Sequence, residues 1–207
     1  MEYPKIANVY KFDEKFRKVV GFNEPFKALR DITWLSTEKV DGTNTRVVWD
    51  GHTVTVLGHT DKSSTPDFIR LFWEQMFGSK EMEYVFEQEF GADEAILFGE
   101  TYGAKIQAGG GLYADKPQFI LFDVYHSTWW SRGGTDALAD RLGLKHVPTV
   151  FTGTLTQAEE FVRKHPMSTL NKAHEMEGLV LEPACGGLYT SGGAVLKCKL
   201  KYRDLIK

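Results

Sequence analysis

The chain has 207 residues, 42% hydrophobic and 26% charged, an ordinary globular composition that excludes a disordered, collagen-like or coiled-coil protein. Lys and Arg number 25 against 28 Asp and Glu, a net charge of −3. That balance argues against a sequence-independent nucleic-acid coat but leaves room for an enzyme steered by a local basic patch. At this length one domain over residues 1–207 is expected, burying roughly 70% of the surface its unfolded form exposes. No apolar run reaches about 18 residues, so no membrane-spanning helix is expected. The start Met1-Glu2-Tyr3-Pro4-Lys5 lacks the pattern of a signal peptide. Two cysteines, Cys185 and Cys198, are too few for a disulfide framework or a zinc site, and a cytoplasmic location is the expectation.

The first thirty residues are mixed, aromatic and charged, punctuated by Pro4 and Pro25. Strands are predicted from Ile32 toward Lys39-Val40, over 45–49 and over 53–57. Asp50-Gly51 between the last two is a hairpin signal. Thr65-Pro66-Asp67 reads as an N-cap, a first-position proline and a first-turn acid. Phe68, Leu71, Phe72, Gln75 and Met76 then recur at helical spacing, and a second helix runs over 80–90. Strands return at 95–98 and 118–125, with a glycine-rich loop over 103–111 that reads as flexible surface, since no P-loop pattern surrounds it. A helix over 136–141, a strand near 147–151, a helix over 157–164 and strands over 177–181 and 194–200 complete the chain. The fold class is α+β and mostly antiparallel.

The chemistry-bearing residues lie on or just past β-rich stretches. Lys39 stands at the end of a strand, with Asp41-Gly42 turning the chain behind it. A lysine needs desolvation or nearby cations to act as a nucleophile. By itself Lys39 would read as a surface residue before a turn. Downstream come Phe98-Gly99-Glu100, Phe122-Asp123-Val124, Glu177-Gly178-Leu179-Val180 and Lys197-Cys198-Lys199. One lysine, several acids, an aromatic and two further lysines suit a nucleoside triphosphate: acids for ribose hydroxyls and a metal, an aromatic face for the base, cations for phosphate. Phe119 should face the opposite side of its strand from Phe122. Cys198 should point away from the two lysines beside it, into the core. The basic run Lys197, Lys199, Lys201, Arg203 and Lys207 reads, from charge alone, as a solvated tail. The histidines show no metal-ligand spacing.

These motifs, in this order from about Trp34 to Lys201, resemble the covalent nucleotidyltransferases, the polynucleotide ligases and mRNA capping enzymes. Most of all the chain resembles the nick-sealing RNA ligases of phage type. Lys39-Val40-Asp41-Gly42 is similar to the nucleotidyl-lysine motif, Glu38 and Asn44 to its RNA-ligase flanks, and Tyr102-Gly103-Ala104-Lys105-Ile106-Gln107 to an RNA-ligase signature. The resemblance implies an antiparallel-sheet nucleotidyltransferase domain, ATP-grasp-like and of the ligase-adenylation kind, with flanking helices. It implies ATP with Mg²⁺ or Mn²⁺ as cofactors and RNA bearing a 5′-phosphate and a 3′-hydroxyl as partner.

The residue roles follow from the same resemblance. Lys39 would attack the α-phosphorus of ATP to give a lysyl-AMP, and AMP would pass to the RNA 5′-phosphate before the 3′-hydroxyl displaces it. Lys197 and Lys199 would bind the α-phosphate, and Asp41 and Glu177 would serve the metal. Glu100 would hold the ribose, Phe122 would stack on adenine, and Glu38 and Asn44 would line the nucleotide pocket. The chain departs from the pattern at His59, where relatives carry an arginine whose part Arg46 could take, and at Glu182, where many carry a lysine. Only eight residues follow Lys199, so no C-terminal OB or other accessory domain is expected. The alternatives are a minimal DNA ligase, which usually has Asp-Gly-Glu where this chain has Phe98-Gly99-Glu100, and a catalytically silent binding module. A capping guanylyltransferase fits less well.

Overall fold

A computed structural model of the chain describes residues 1–13, 15 and 18–206. Lys207, the end of the basic run, lies outside the described residues. In chain order the elements are β1 (Ala7–Asn8), β2 (Tyr10–Phe12), β3 (Val19–Phe22), β4 (Trp34–Glu38), β5 (Thr43–Trp49) and β6 (Val54–Leu57). Helices α1 (Asp67–Phe77) and α2 (Lys80–Phe90) follow, then β7 (Ala95–Tyr102), α3 (Gly110–Tyr113), β8 (Gln118–His126), β9 (Thr128–Trp129) and α4 (Arg132–Leu142). The chain ends with β10 (Lys145–His146), β11 (Thr149–Gly153), α5 (Leu155–Arg163), β12 (Gly178–Pro183), β13 (Cys198–Lys201) and α6 (Tyr202–Leu205).

The described residues gather into two compact units, one of residues 1–3 and 41–147, the other of residues 4–40 and 148–207. The larger sheet of the first unit has the order β10-β8-β7-β5-β6, with β9 on β8. Its strands are antiparallel except β10 on β8. Val47, Trp49, Ala95, Leu97, Phe119, Leu121 and Val124 turn one face of this sheet onto Phe77, Phe86 and Phe90 of α1 and α2 and onto Leu138 and Leu142 of α4. Phe119 is thus core, on the side away from Phe122, as period-two alternation requires.

The second unit holds a five-stranded sheet of order β1-β13-β12-β4-β11, with β1 parallel to β13 and the other pairs antiparallel. Trp34, Leu179, Leu181, Cys198 and Leu200 line one face and pack on Leu155, Ala158 and Val162 of α5. Cys198 lies in this core as expected, and burial pushes its thiol pKa up. The fold is α+β with antiparallel pairing dominant.

Most elements fall where hydrophobic period and turn chemistry put them, and the differences have local causes. Asp50 accepts from the backbone N–H groups of His52 and Thr53, closing the β5–β6 hairpin. In α1 the boundary moves by one residue: Pro66 takes the cap position, with φ −55° and ψ 145°, so Thr65 lies outside. Helix α4 starts four residues before the predicted Asp136, because Ser131 accepts from Gly134 N and carries the helix through Gly133-Gly134. Helix α5 starts at Leu155, behind a reciprocal capping box between Thr154 and Gln157. The glycine-rich segment is packed: Ile106, Gly110 and Tyr113 are buried, and Gly109 N donates to Asp41 Oδ2 at 3.0 Å. Strands β1 to β3 have no counterpart in the sequence reading. They are short and gain their pairing from β13 and from each other.

Candidate active site

In the second unit, β4, β12 and β13 run side by side with Lys199 opposite Val180 and Val180 opposite Thr37. Alternation therefore puts Thr37, Val180, Glu182, Lys199 and Lys201 on the face away from the apolar core. Lys39, the residue after β4, donates its backbone N–H to Gly178 O at 2.9 Å. Its Nζ lies 2.6 Å from Glu177 Oε2, and Lys201 Nζ lies 2.7 Å from Glu177 Oε1. One carboxylate thus spans two ammonium groups. Burial pushes the Glu177 carboxyl up, and Lys39 and Lys201 together outweigh burial, leaving its pKa below the ordinary value. Lys199 is held below the usual lysine range, first by burial and then by the charges of Lys201, Lys39 and Lys5.

Gly178 shows why glycine follows Glu177. Its φ is +155°, and a Cβ there would stand 2.1 Å from Leu200 O. Lys197 is buried and paired with Glu182 at 2.8 Å. The glutamate that replaces a lysine in the resembled pattern therefore has a cation of its own. Glu38 points to the other face of β4 from Lys39, opposite Leu179. Its buried carboxylate accepts from Ser168 Oγ, from Thr169 N at 2.8 Å and from Thr169 Oγ1.

In the first unit, Asn44 lies opposite Glu100 and Arg46 opposite Phe98 on the sheet face away from the core. Asn44 Oδ1 is buried and has no hydrogen-bond partner among the described residues, so it offers an acceptor to a ligand. Asp41 accepts from Gly109 N, while a Cβ on Gly42 would stand 2.4 Å from Thr101 O and 2.9 Å from Glu100 Cγ. The Asp-Gly pair thus lets the chain pass close to the strand carrying Glu100. Arg46 is buried and its guanidinium is engaged: Nε donates to Gly58 O at 2.8 Å, and one terminal nitrogen lies 2.8 Å from Asp61 Oδ1. Arg46 fixes the loop after β6, on which His59 is exposed. Phe122 is half-buried, its ring edge-on to Tyr3 at 4.9 Å.

The structure therefore brings Lys39, Glu177 and Lys199 onto one sheet face, with Lys201, to which the sequence reading gave no role. The spacing Lys197-Cys198-Lys199-Leu200-Lys201 already carried that signal, since a strand of period two puts all three lysines on one side. Nothing in the sequence marked Tyr3 or Arg132 as neighbours of Phe122. Among the described residues no three His, Cys, Asp or Glu side chains gather as a metal cage. A Mg²⁺ held by phosphates and one or two carboxylates needs no such cage.

An antiparallel α+β fold carrying a lysine pressed on a half-buried carboxylate, with further lysines beside it, has the form of a nucleotidyltransferase domain. The RNA ligase family model matches residues 32–199, and the chain belongs to the RNA ligase family. Solved structures of Naegleria gruberi RNA ligase have a similar fold. A mutant with ATP and Mn is 17% identical with a TM-score of 0.64, covering 97% of this chain and 61% of that one. An apo mutant is 19% identical with a TM-score of 0.65, covering 99% and 58%. The same ligase with PPi is 19% identical with a TM-score of 0.62, covering 95% and 59%. The chain thus spans about three fifths of the length of these structures. No curated protein matches it.

Proposed function

We propose that this protein is an ATP-dependent RNA ligase acting through a lysyl-AMP formed on Lys39. The observation that carries the reading is Lys39 Nζ, 2.6 Å from Glu177, in a cluster with Lys201 and Lys199. Glu177 holds the Lys39 amine in place, and attack requires that amine in its neutral form. Lys39 Nζ bonds to the α-phosphorus of ATP, the bond from that phosphorus to the bridging oxygen breaks, and pyrophosphate leaves with the bonding pair. AMP then passes to an RNA 5′-phosphate, and a 3′-hydroxyl displaces it to join the strand. Transfer at phosphorus asks the protein mainly for positioning and charge neutralisation.

Lys197 and Lys199 serve the α-phosphate, with Lys197 leaving Glu182 to do so. Glu100 takes the ribose hydroxyls, Phe122 stacks on adenine, and the unpartnered Oδ1 of Asn44 accepts from the nucleotide. Glu38 acts from the far face by anchoring the strand that ends at Lys39, and Arg46 by holding the loop that carries His59. Asp41 and Glu177 are the carboxylates offered to Mg²⁺ or Mn²⁺, and their hard oxygen donors fit such an ion. When bound, the metal neutralises the triphosphate. Support for RNA as substrate comes from the family, and support for ATP with a divalent ion from the ATP and Mn complex of the Naegleria ligase.

The test is incubation with α-labelled ATP and magnesium followed by denaturation. Label on the polypeptide that is lost in Lys39→Ala is expected, followed by sealing of nicked RNA. A folded, unadenylylated protein that takes no label would refute the proposal.

A further inference from the structure

Phe122 occupies an irregular place in β8. The β7–β8 register runs Phe98 opposite Asp123 and then Gly99 opposite Leu121, which leaves Phe122 as the extra residue of a β-bulge. In a regular strand residues 119, 121 and 123 would share the core face. The bulge resets the alternation, so that Val124 joins the core and Asp123 goes to the opposite side with Phe98. A bulged residue also loses its ladder partner, and its carbonyl must be satisfied otherwise.

Here that carbonyl has a dedicated donor. One terminal nitrogen of Arg132, the first residue of α4, donates to Phe122 O at 2.6 Å and lies 3.5 Å from Asp123 Oδ1. The other terminal nitrogen lies 3.5 Å from Asp136, one turn along the helix. The Arg132 side chain is only 8% exposed. Asp123, itself buried, accepts from the Tyr3 hydroxyl. The Tyr3 ring contacts Phe122 at 4.9 Å, Phe98 at 5.0 Å and Trp129 at 5.9 Å. A buried cation on the bulged carbonyl, a buried acid beside it and an aromatic wedge against the ring all converge on one side chain.

We infer that Arg132 and Tyr3 are positioning residues that lock the β8 bulge and thereby set Phe122 as the platform for the nucleotide base. The inference rests on the proposed stacking of adenine on Phe122. Neither residue touches the phosphates in this scheme, so they govern recognition of the base and leave recognition of the triphosphate alone.

The experiment is equilibrium calorimetry on Lys39→Ala protein, which cannot carry AMP, with ATP and with inorganic tripolyphosphate as probes. Phe122→Ala is expected to weaken ATP binding about tenfold or more, the scale of an aromatic stacking contact. Arg132→Met should weaken it roughly tenfold, and Tyr3→Phe, which keeps the ring and loses the donor, roughly threefold. With Phe122→Ala already present, adding Arg132→Met should cost less than about a further factor of two, because both changes act through one ring. Tripolyphosphate should bind all variants alike.

Unchanged ATP binding in Arg132→Met and Tyr3→Phe, full additivity with Phe122→Ala, or equal loss of tripolyphosphate binding would each overturn the inference. If Phe122→Ala itself has no effect, the stacking reading falls first and takes this inference with it. Should Arg132→Met fail to fold by circular dichroism, Arg132→Lys replaces it, keeping the cation and losing the planar fork.

Discussion

Replacing Gly178 by alanine should damage the second unit at the point where its lysine face is assembled. The added Cβ would meet Leu200 O at 2.1 Å and Lys201 Cα at 2.8 Å, and φ at Gly178 is +155°. To reach an ordinary contact near 3.4 Å, β13 must move more than an ångström from β12, and the obstacle is backbone, which no rotamer change relieves. Overpacking of this kind costs about 1–3 kcal/mol, and an alanine forced to so positive a φ adds about 1–2 kcal/mol. A total of about 2–5 kcal/mol is expected, which for a chain of this size lowers the melting temperature by roughly 4–20 °C. The strand that must yield carries Lys199 and Lys201, and the Gly178 carbonyl receives the Lys39 N–H. Transfer of label from α-labelled ATP should therefore fall even at temperatures where the variant stays folded. Urea unfolding, followed by circular dichroism, together with the labelling assay measures both. A loss below about 0.5 kcal/mol, within the range of neutral surface changes, with label intact would refute the argument from close approach.

Two further predictions test other parts of the structure. Glu38→Ala should cost about 3 kcal/mol in urea unfolding, because the Ser168 hydroxyl and the Thr169 N–H lose a buried charged acceptor; a cost under about 1 kcal/mol would deny Glu38 its anchoring part. The exposed Asp50 carboxyl is held below its ordinary value of 3.8 by accepting from Thr53 N and His52 N. Its folded pKa is depressed, so its contribution is fully present above that ordinary value and is lost as pH falls through the folded one. Urea midpoints of wild type and Asp50→Asn should differ near neutral pH and converge on acidification, and a gap that persists to pH about 2 would contradict this sign.

Lys39, Glu177 and Lys199 were legible as a set because the motifs that carry them follow one another in the order of the family they resemble. The close approaches of Gly42 to Thr101 O and of Gly178 to Leu200 O needed the tertiary structure. The placement of Glu38 was less accessible. Adjacent to Lys39 in sequence, it belongs to the opposite face of β4, and Ser168 and Thr169, some 130 positions away, supply its partners. Arg46 read as a free cation for a ligand, yet it is committed to Gly58 and Asp61, because a buried guanidinium must find acceptors wherever the fold supplies them.

Local chemistry written in the sequence thus determined the α+β class, the Asp50-Gly51 hairpin, helix α2 and the order of the nucleotide-handling motifs. Hydrophobic period, capping and turn residues act over a few positions and can be read there. Only the tertiary structure decided that Lys201 shares Glu177 with Lys39, that Glu182 is matched by Lys197, and that a bulge held by Arg132 and Tyr3 sets Phe122. These depend on strand register and on contacts across long stretches of chain, where one residue of slip would reverse every face.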